Sequence, residues 1–125
     1  EEMNHIYPSK ILFSFFEKST HIGYGGLTNI SWENKRAELS FILDNERAKK
    51  DSTYFTDFNM FLKLIKLVIF DSLKFNRIFT ETYDIRSSHI RILELNGFNL
   101  EGRLLKHNLI KGSYIDSLIH GCIKK

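Results

Sequence analysis

Residues 57–83 read DFNMFLKLIKLVIFDSLKFNRIFTETY, and a change of period inside this stretch decides the fold. Phe58, Phe61, Leu62, Ile65, Val68 and Ile69 recur at the three- and four-residue spacing of one helical face, with Asn59, Lys63 and Lys66 on the wet side. That spacing predicts a helix over residues 57–74, whose wide apolar arc implies contacts beyond a sheet alone. From Arg77 to Tyr83 (RIFTETY) the period becomes two, which predicts a strand. Immediately upstream of the helical region, Arg36–Leu43 (RAELSFIL) alternates as well: Ala37, Leu39, Phe41 and Leu43 share one face, Glu38 and Ser40 the other. Strand, helix and strand in that order form a β-α-β unit, which requires parallel strands and a right-handed crossover.

The flanks complete the sheet. Residues 9–17 (SKILFSFFE) and 21–30 (HIGYGGLTNI) read as two strands that form an antiparallel meander with Arg36–Leu43. The first is apolar on both faces, Phe13 and Phe15 against Leu12 and Phe16, and is therefore expected to lie in the sheet interior. Residues 44–56 are polar and charged and read as a loop of a length that usually carries function. Residues 88–96 (SHIRILELN) form a short helix, stopped by Asn96-Gly97-Phe98 with Gly97 left-handed and Phe98 packing back on Leu93. Residues 98–110 and Ser113–Ile123 make two further strands around the turn at Lys111-Gly112. The order β-β-β-α-β-α-β-β is an α/β (α+β) mixed sheet with flanking helices, read as a single domain over residues 1–125.

Composition removes whole classes of function. Eleven Phe, five Tyr and one Trp in 125 residues are far too many aromatics for a disordered chain. The single cysteine, Cys122, forms no internal disulfide, and a reducing cytoplasm is the expected location. The longest apolar run, residues 67–70, is far short of the roughly 20 residues that span a bilayer, and no signal-peptide pattern opens the chain. Positive and negative side chains cancel over residues 1–100, so the net charge of +3 comes from residues 101–125. That tail reads either as a phosphate patch or as a solvated hairpin with a frayed Lys-Lys end. Aromatics do not interleave with its basic residues, which makes nucleic acid an unlikely partner.

The sequence has no HExxH, no GxSxG elbow and no GxxxxGK[ST] loop. His120 and Cys122 share a strand face, but two ligands do not make a zinc site, and no metal is expected. Gly23-Tyr24-Gly25-Gly26 does not match GxGxxG and precedes no helix; glycines in a strand mark a bulge or a close backbone approach.

Five phrases in fixed order converge on one family: residues 22–30 (IGYGGLTNI), Arg36–Leu43 (RAELSFIL), 70–78 (FDSLKFNRI), 90–102 (IRILELNGFNLEG) and 105–121 (LKHNLIKGSYIDSLIHG). From about Ser9 onward the chain resembles the GNAT superfamily of acyl-CoA-dependent N-acetyltransferases. Within it the likeness is to the branch of ribosomal-protein N-terminal acetyltransferases and amino-sugar-nucleotide acetyltransferases. Members normally begin with a further strand and one or two helices, so the resemblance implies an N-terminally short domain. The apolar surface this leaves uncovered implies a homodimer.

The resemblance implies acetyl-CoA as co-substrate and a primary amine as acceptor, on an amino-sugar nucleotide or a protein N-terminus. It also implies a gap between the strands at Arg36–Leu43 and Arg77–Tyr83, where backbone groups of Phe41, Ile42 and Leu43 would bind the pantetheine arm. The family's phosphate loop falls on residues 46–56 (ERAKKDSTYFT), which contain no glycine. Ser52 and Thr53 would cap the following helix and offer hydroxyls there, with Lys49 and Lys50 neutralising phosphate. Arg86 and His89 stand where relatives serve the cofactor; a surface charge near Asp84 is the other reading of Arg86. Glu38 is the candidate general base, against the reading of an exposed polar-face glutamate. Leu93 occupies a position where relatives carry a tyrosine acid, and Tyr83 and Tyr114 are unassigned candidates. The alternative function is a non-catalytic scaffold or dimerisation module that has lost CoA binding.

Overall fold

The computed structural model describes residues 7–43 and 49–125. Its elements follow the order read from the sequence: β1 (Ile11–Glu17), β2 (Thr20–Ser31), β3 (Arg36–Leu43), α1 (Asp51–Lys66), β4 (Arg77–Tyr83), α2 (Ser87–Leu95), β5 (Asn99–Ile110) and β6 (Ser113–Ile123). At its C-terminal end α1 widens into a π-helical turn over Leu67–Ser72. The strands form one mixed sheet in the order β1-β2-β3-β4-β6-β5. Only the β3–β4 pair is parallel, as a β-α-β unit requires.

Both helices pack on one face of the sheet. Phe58, Phe61, Leu62 and Ile65 of α1 and Ile92 and Leu93 of α2 are buried against Leu27, Ala37, Leu39 and Ile78. Phe41 packs against both Phe58 and Phe61, with ring centroids 4.9 and 4.8 Å away. Gly25 is required by this packing, because a Cβ there would overlap the Phe61 ring. The glycine run thus marks a close backbone approach, one of the two readings its strand position allowed. At the end of α2 the Phe98 amide donates to the Leu93 carbonyl at 3.1 Å, and Gly97 has φ +87°. These are the bond and the left-handed residue of a Schellman stop.

Three expectations need correction. Among the described residues β1 is an edge strand, paired to β2 alone, and not an interior one. Apolar residues on both faces do not place it inside: Leu12 is 70% and Phe16 58% exposed. α1 begins at Asp51, six residues before the helix read from the sequence, so the second half of the expected loop is helical. Tyr54 carries the signal, extending the face of Phe58, Phe61 and Leu62 by one more turn. Finally, Ser52 and Thr53 do not cap α1. The N-cap position is Lys50, which makes no side-chain cap bond, and Ser52 and Thr53 are the second and third helical residues.

Candidate active site

The sheet opens between its two parallel strands. β3 and β4 are paired only at Arg36–Arg77, Ala37–Ile78 and Glu38–Phe79. Beyond that point Thr80 Oγ1 donates to the Leu39 carbonyl at 3.3 Å, the last link before the strands part. β3 meanwhile stays paired to β2 through Gly25–Phe41, Tyr24–Ile42 and Gly23–Leu43. Past Glu38–Phe79 the two strands share no further register pair among the described residues, so Phe41, Ile42 and Leu43 lie where β3 diverges from β4. The phenyl ring of Phe41 is committed to the α1 stack, so only its backbone is available there.

Both helices begin at the open end, since each follows the C-terminal end of one splayed strand. In α1 the first intrahelical bond runs from the Tyr54 amide to the Lys50 carbonyl at 2.9 Å. The amides of Asp51, Ser52 and Thr53 thus have no intrahelical acceptor and form an electropositive helix end. Ser52 is exposed, and residues 46–48 of the glycine-free stretch lie outside the described residues. Arg86, exposed at the N-cap position of α2, donates to Tyr54 Oη at 2.8 Å. Tyr54 Oη lies 2.7 Å from His89 Nδ1. Burial raises the Tyr54 pKa, with Arg86 opposing, so the phenol keeps its proton. Burial first, then the charges of Arg86 and His120, push His89 down to about 3. His89 is thus a neutral imidazole, and it is buried in the α1–α2 contact.

The sheet face away from the helices is polar. Glu38 Oε1 accepts from Asn29 Nδ2 at 2.7 Å. Asn29 reaches it from a bulge in β2, where its φ is +45° and the register shifts. Two residues beyond Phe79, the partner of Glu38, β4 presents Glu81 on the same face. Ser117 Oγ donates to Glu81 Oε2 at 2.8 Å and accepts from Asn108 Nδ2 at 2.6 Å, and His107 Nε2 lies 3.7 Å from the same carboxylate. Glu81 was missed in the sequence, although the period-two alternation of RIFTETY puts it on the face set by Glu38. Tyr54 was missed with its turn of helix. Leu93 is fully buried in the core. Tyr83 ends β4, and Tyr114 lies in the β5–β6 hairpin beyond the end of that strand. Arg103 of the basic tail is held by Asp84 at 2.6 Å and Asp116 at 2.9 Å.

A mixed sheet that splits between two parallel strands, with two helix starts at the split and a carboxylate-bearing open face, defines the acyl-CoA transferase fold. The sequence matches the acetyltransferase (GNAT) domain family over residues 2–119, and the chain belongs to that family. It is an N-acetyltransferase whose co-substrate is acetyl-CoA. No curated protein matches it in sequence.

Among solved structures it is similar to the dodecameric spermidine N-acetyltransferase of Vibrio cholerae in an intermediate state. The TM-score is 0.80 at 21% identity, over 98% of this chain and 69% of that one. A single-substitution mutant of that enzyme gives 0.80 at 20%, over 98% and 70%. A probable acetyltransferase gives 0.80 at 17%, over 98% and 67%. At these identities the likeness carries the fold alone. No helix among the described residues is long and apolar enough to cross a membrane.

Proposed function

We propose that this N-acetyltransferase acts on the primary amine of a polycationic aliphatic amine, held on the open sheet face by Glu38 and Glu81. The observation that carries this is the pair of carboxylates on adjacent splayed strands, each oriented by a neighbour: Asn29 for Glu38, Ser117 for Glu81. An alkyl amine with a pKa near 10 arrives as its ammonium, which two carboxylates attract and one must deprotonate before it attacks. Glu38 takes that proton and Glu81 holds the cation. The similar Vibrio cholerae protein is a spermidine N-acetyltransferase, which agrees with this acceptor class. An amino-sugar nucleotide brings a diphosphate that two carboxylates repel, and a protein N-terminus brings a single positive charge.

Acetyl-CoA supplies the activated thioester carbonyl. The backbone of Phe41, Ile42 and Leu43, on the part of β3 that diverges from β4, fits a pantetheine arm, which pairs with backbone as an added strand does. The amides of Ser52 and Thr53, which have no intrahelical acceptor, and the Arg86 guanidinium fit its phosphates. Because Leu93 is buried, no side chain stands at the family's tyrosine position to protonate the departing thiolate, and water does so. The edge position of β1 among the described strands and its exposed Leu12 and Phe16 support a homodimer paired through that strand.

The test is turnover of acetyl-CoA with spermidine, a uridine diphosphate amino sugar and an alanine-initiated peptide. Spermidine is expected to be the best acceptor by at least tenfold in kcat/KM. A faster reaction with either of the others refutes the acceptor class. A clean 14.7 kDa monomer in sedimentation refutes the dimer.

A further inference from the structure

One chain of side-chain hydrogen bonds joins the two helix starts at the mouth of the opening. Arg86 donates to Tyr54 Oη, and Tyr54 Oη meets His89 Nδ1. A guanidinium only donates, so the phenol oxygen accepts from Arg86. With the imidazole hydrogen on Nε2, the phenol's own hydrogen goes to Nδ1 and the chain runs Arg86 to Tyr54 to His89; this is the tautomer the inference uses. The imidazole ring is clamped against Phe58, with centroids 4.3 Å apart and planes 16° apart. His89 is therefore a fixed acceptor inside the α1–α2 contact.

Lys50, at the N-cap of α1, supplies no side-chain cap bond. Tyr54 makes the first backbone bond of that helix, and its side chain ties that turn to α2. Its ring stands edge-on to Phe41, 6.2 Å away, at the rim of the β3–β4 gap. Arg86 is held by the same hydroxyl. Donors fixed before a ligand arrives lose less entropy on binding and bind more tightly than donors that must be ordered.

We infer that Tyr54 and His89 are positioning residues for acetyl-CoA, tying the first turns of α1 and α2 together so that the α1 amides and Arg86 form one preformed phosphate site. The inference rests on the cofactor site proposed above. It gives His89 a role behind the site in place of the phosphate contact expected from the sequence.

The test is calorimetric titration of the full chain with acetyl-CoA, beside four variants. Tyr54→Phe removes the hydroxyl and keeps the ring. His89→Leu removes the acceptor, and His89→Asn restores an amide oxygen near the Nδ1 position. Ile92→Val loosens the same helix at a buried position away from the chain of hydrogen bonds. Tyr54→Phe and His89→Leu are expected to weaken binding by about 5- to 10-fold, the effect of losing one such bond. His89→Asn is expected to recover to within about twofold of wild type, and Ile92→Val to lower the melting temperature with affinity unchanged.

A Tyr54→Phe affinity within twofold of wild type overturns the inference, as does Ile92→Val weakening binding as much as His89→Leu. If the wild-type chain itself fails to bind acetyl-CoA at millimolar concentration, the cofactor site falls and takes the inference with it. That failure is told apart by the wild-type titration alone.

Discussion

Replacing Gly25 by alanine tests how the core sets the shape of the opening. An added Cβ would lie 2.6 Å from Phe61 Cζ and closer still to Cε1, so the ring must move. Phe61 has little room to do so: it is buried, stacked on Phe41 and roughly parallel to Phe58 at 6.5 Å. Overpacking of this kind costs about 1–3 kcal/mol. Loss of glycine's backbone freedom in the unfolded chain returns at most about 1 kcal/mol, so the clash wins. Denaturant unfolding should show a net loss of about 1–2 kcal/mol, or a melting temperature lower by roughly 4–10 °C. The displaced ring pushes on Phe41, whose backbone lines the gap, so acetyl-CoA affinity should fall as well. The cycle with Phe61→Leu decides the cause, because a smaller side chain leaves room for the new methyl group. Gly25→Ala should then cost less than half as much as it does beside Phe61. Equal costs in both backgrounds would refute the packing argument.

The other predictions follow from the site and its charges. Glu38→Gln should lower kcat by about 10²–10⁴-fold, the usual worth of a general base, with acetyl-CoA affinity unchanged in the same titration. Glu81→Gln should chiefly raise KM for spermidine. His89 is neutral when folded and titrates at about 3, against 6.5 when free. The folded state thus binds fewer protons, and stability present above pH 6.5 is lost as pH falls toward 3, on the order of 4 kcal/mol in all; His89→Leu should flatten that slope in acid-unfolding curves. The Arg77 guanidinium, bidentate to Glu101, holds that carboxyl below its usual range. Its contribution is present above about pH 4.5 and lost on further acidification. Both groups are partly exposed, so Glu101→Gln should cost no more than about 1 kcal/mol at neutral pH, and less in 1 M salt.

The hydrophobic periods carried the strand order, the parallel pair and the Schellman stop, because these depend on which residues repeat and where a left-handed glycine sits. Arg36–Leu43, Arg77–Tyr83 and Ser113–Ile123 have the bounds their alternation implied. Edge position is a different kind of fact. Leu12 and Phe16 look like core residues in a list of letters, and only the partner strand's presence or absence decides their exposure. The start of α1 was hidden because Asp51, Ser52 and Thr56 have the polarity of a loop, while the one apolar residue on the buried face, Tyr54, gives no period by itself. The site divides in the same way. The divergence of β3 from β4 is a backbone event and was expected only from family likeness. Glu81 and the Arg86–Tyr54–His89 chain depend on side chains brought together from separate elements, and the spacing of letters along one strand does not reveal such meetings.

The two edges of the sheet are unlike each other. β5 carries Glu101, Arg103 and Lys106 and is broken by two register shifts, one at Leu100/Gly102 and one at Leu104/Asn108. Charges and bulges of this kind stop another strand from docking. β1 is guarded less: it has one register shift, at Phe15/Phe16, and one charged residue, Glu17 at its end, while Ile11–Phe16 carry neither a charge nor a proline. Strand-on-strand pairing is therefore favoured at β1 over β5, and two copies that met through β1 would present their more strongly guarded β5 edges outward. A lysine at Phe16 would close the remaining open edge, and it is the first change to make if the protein precipitates when concentrated.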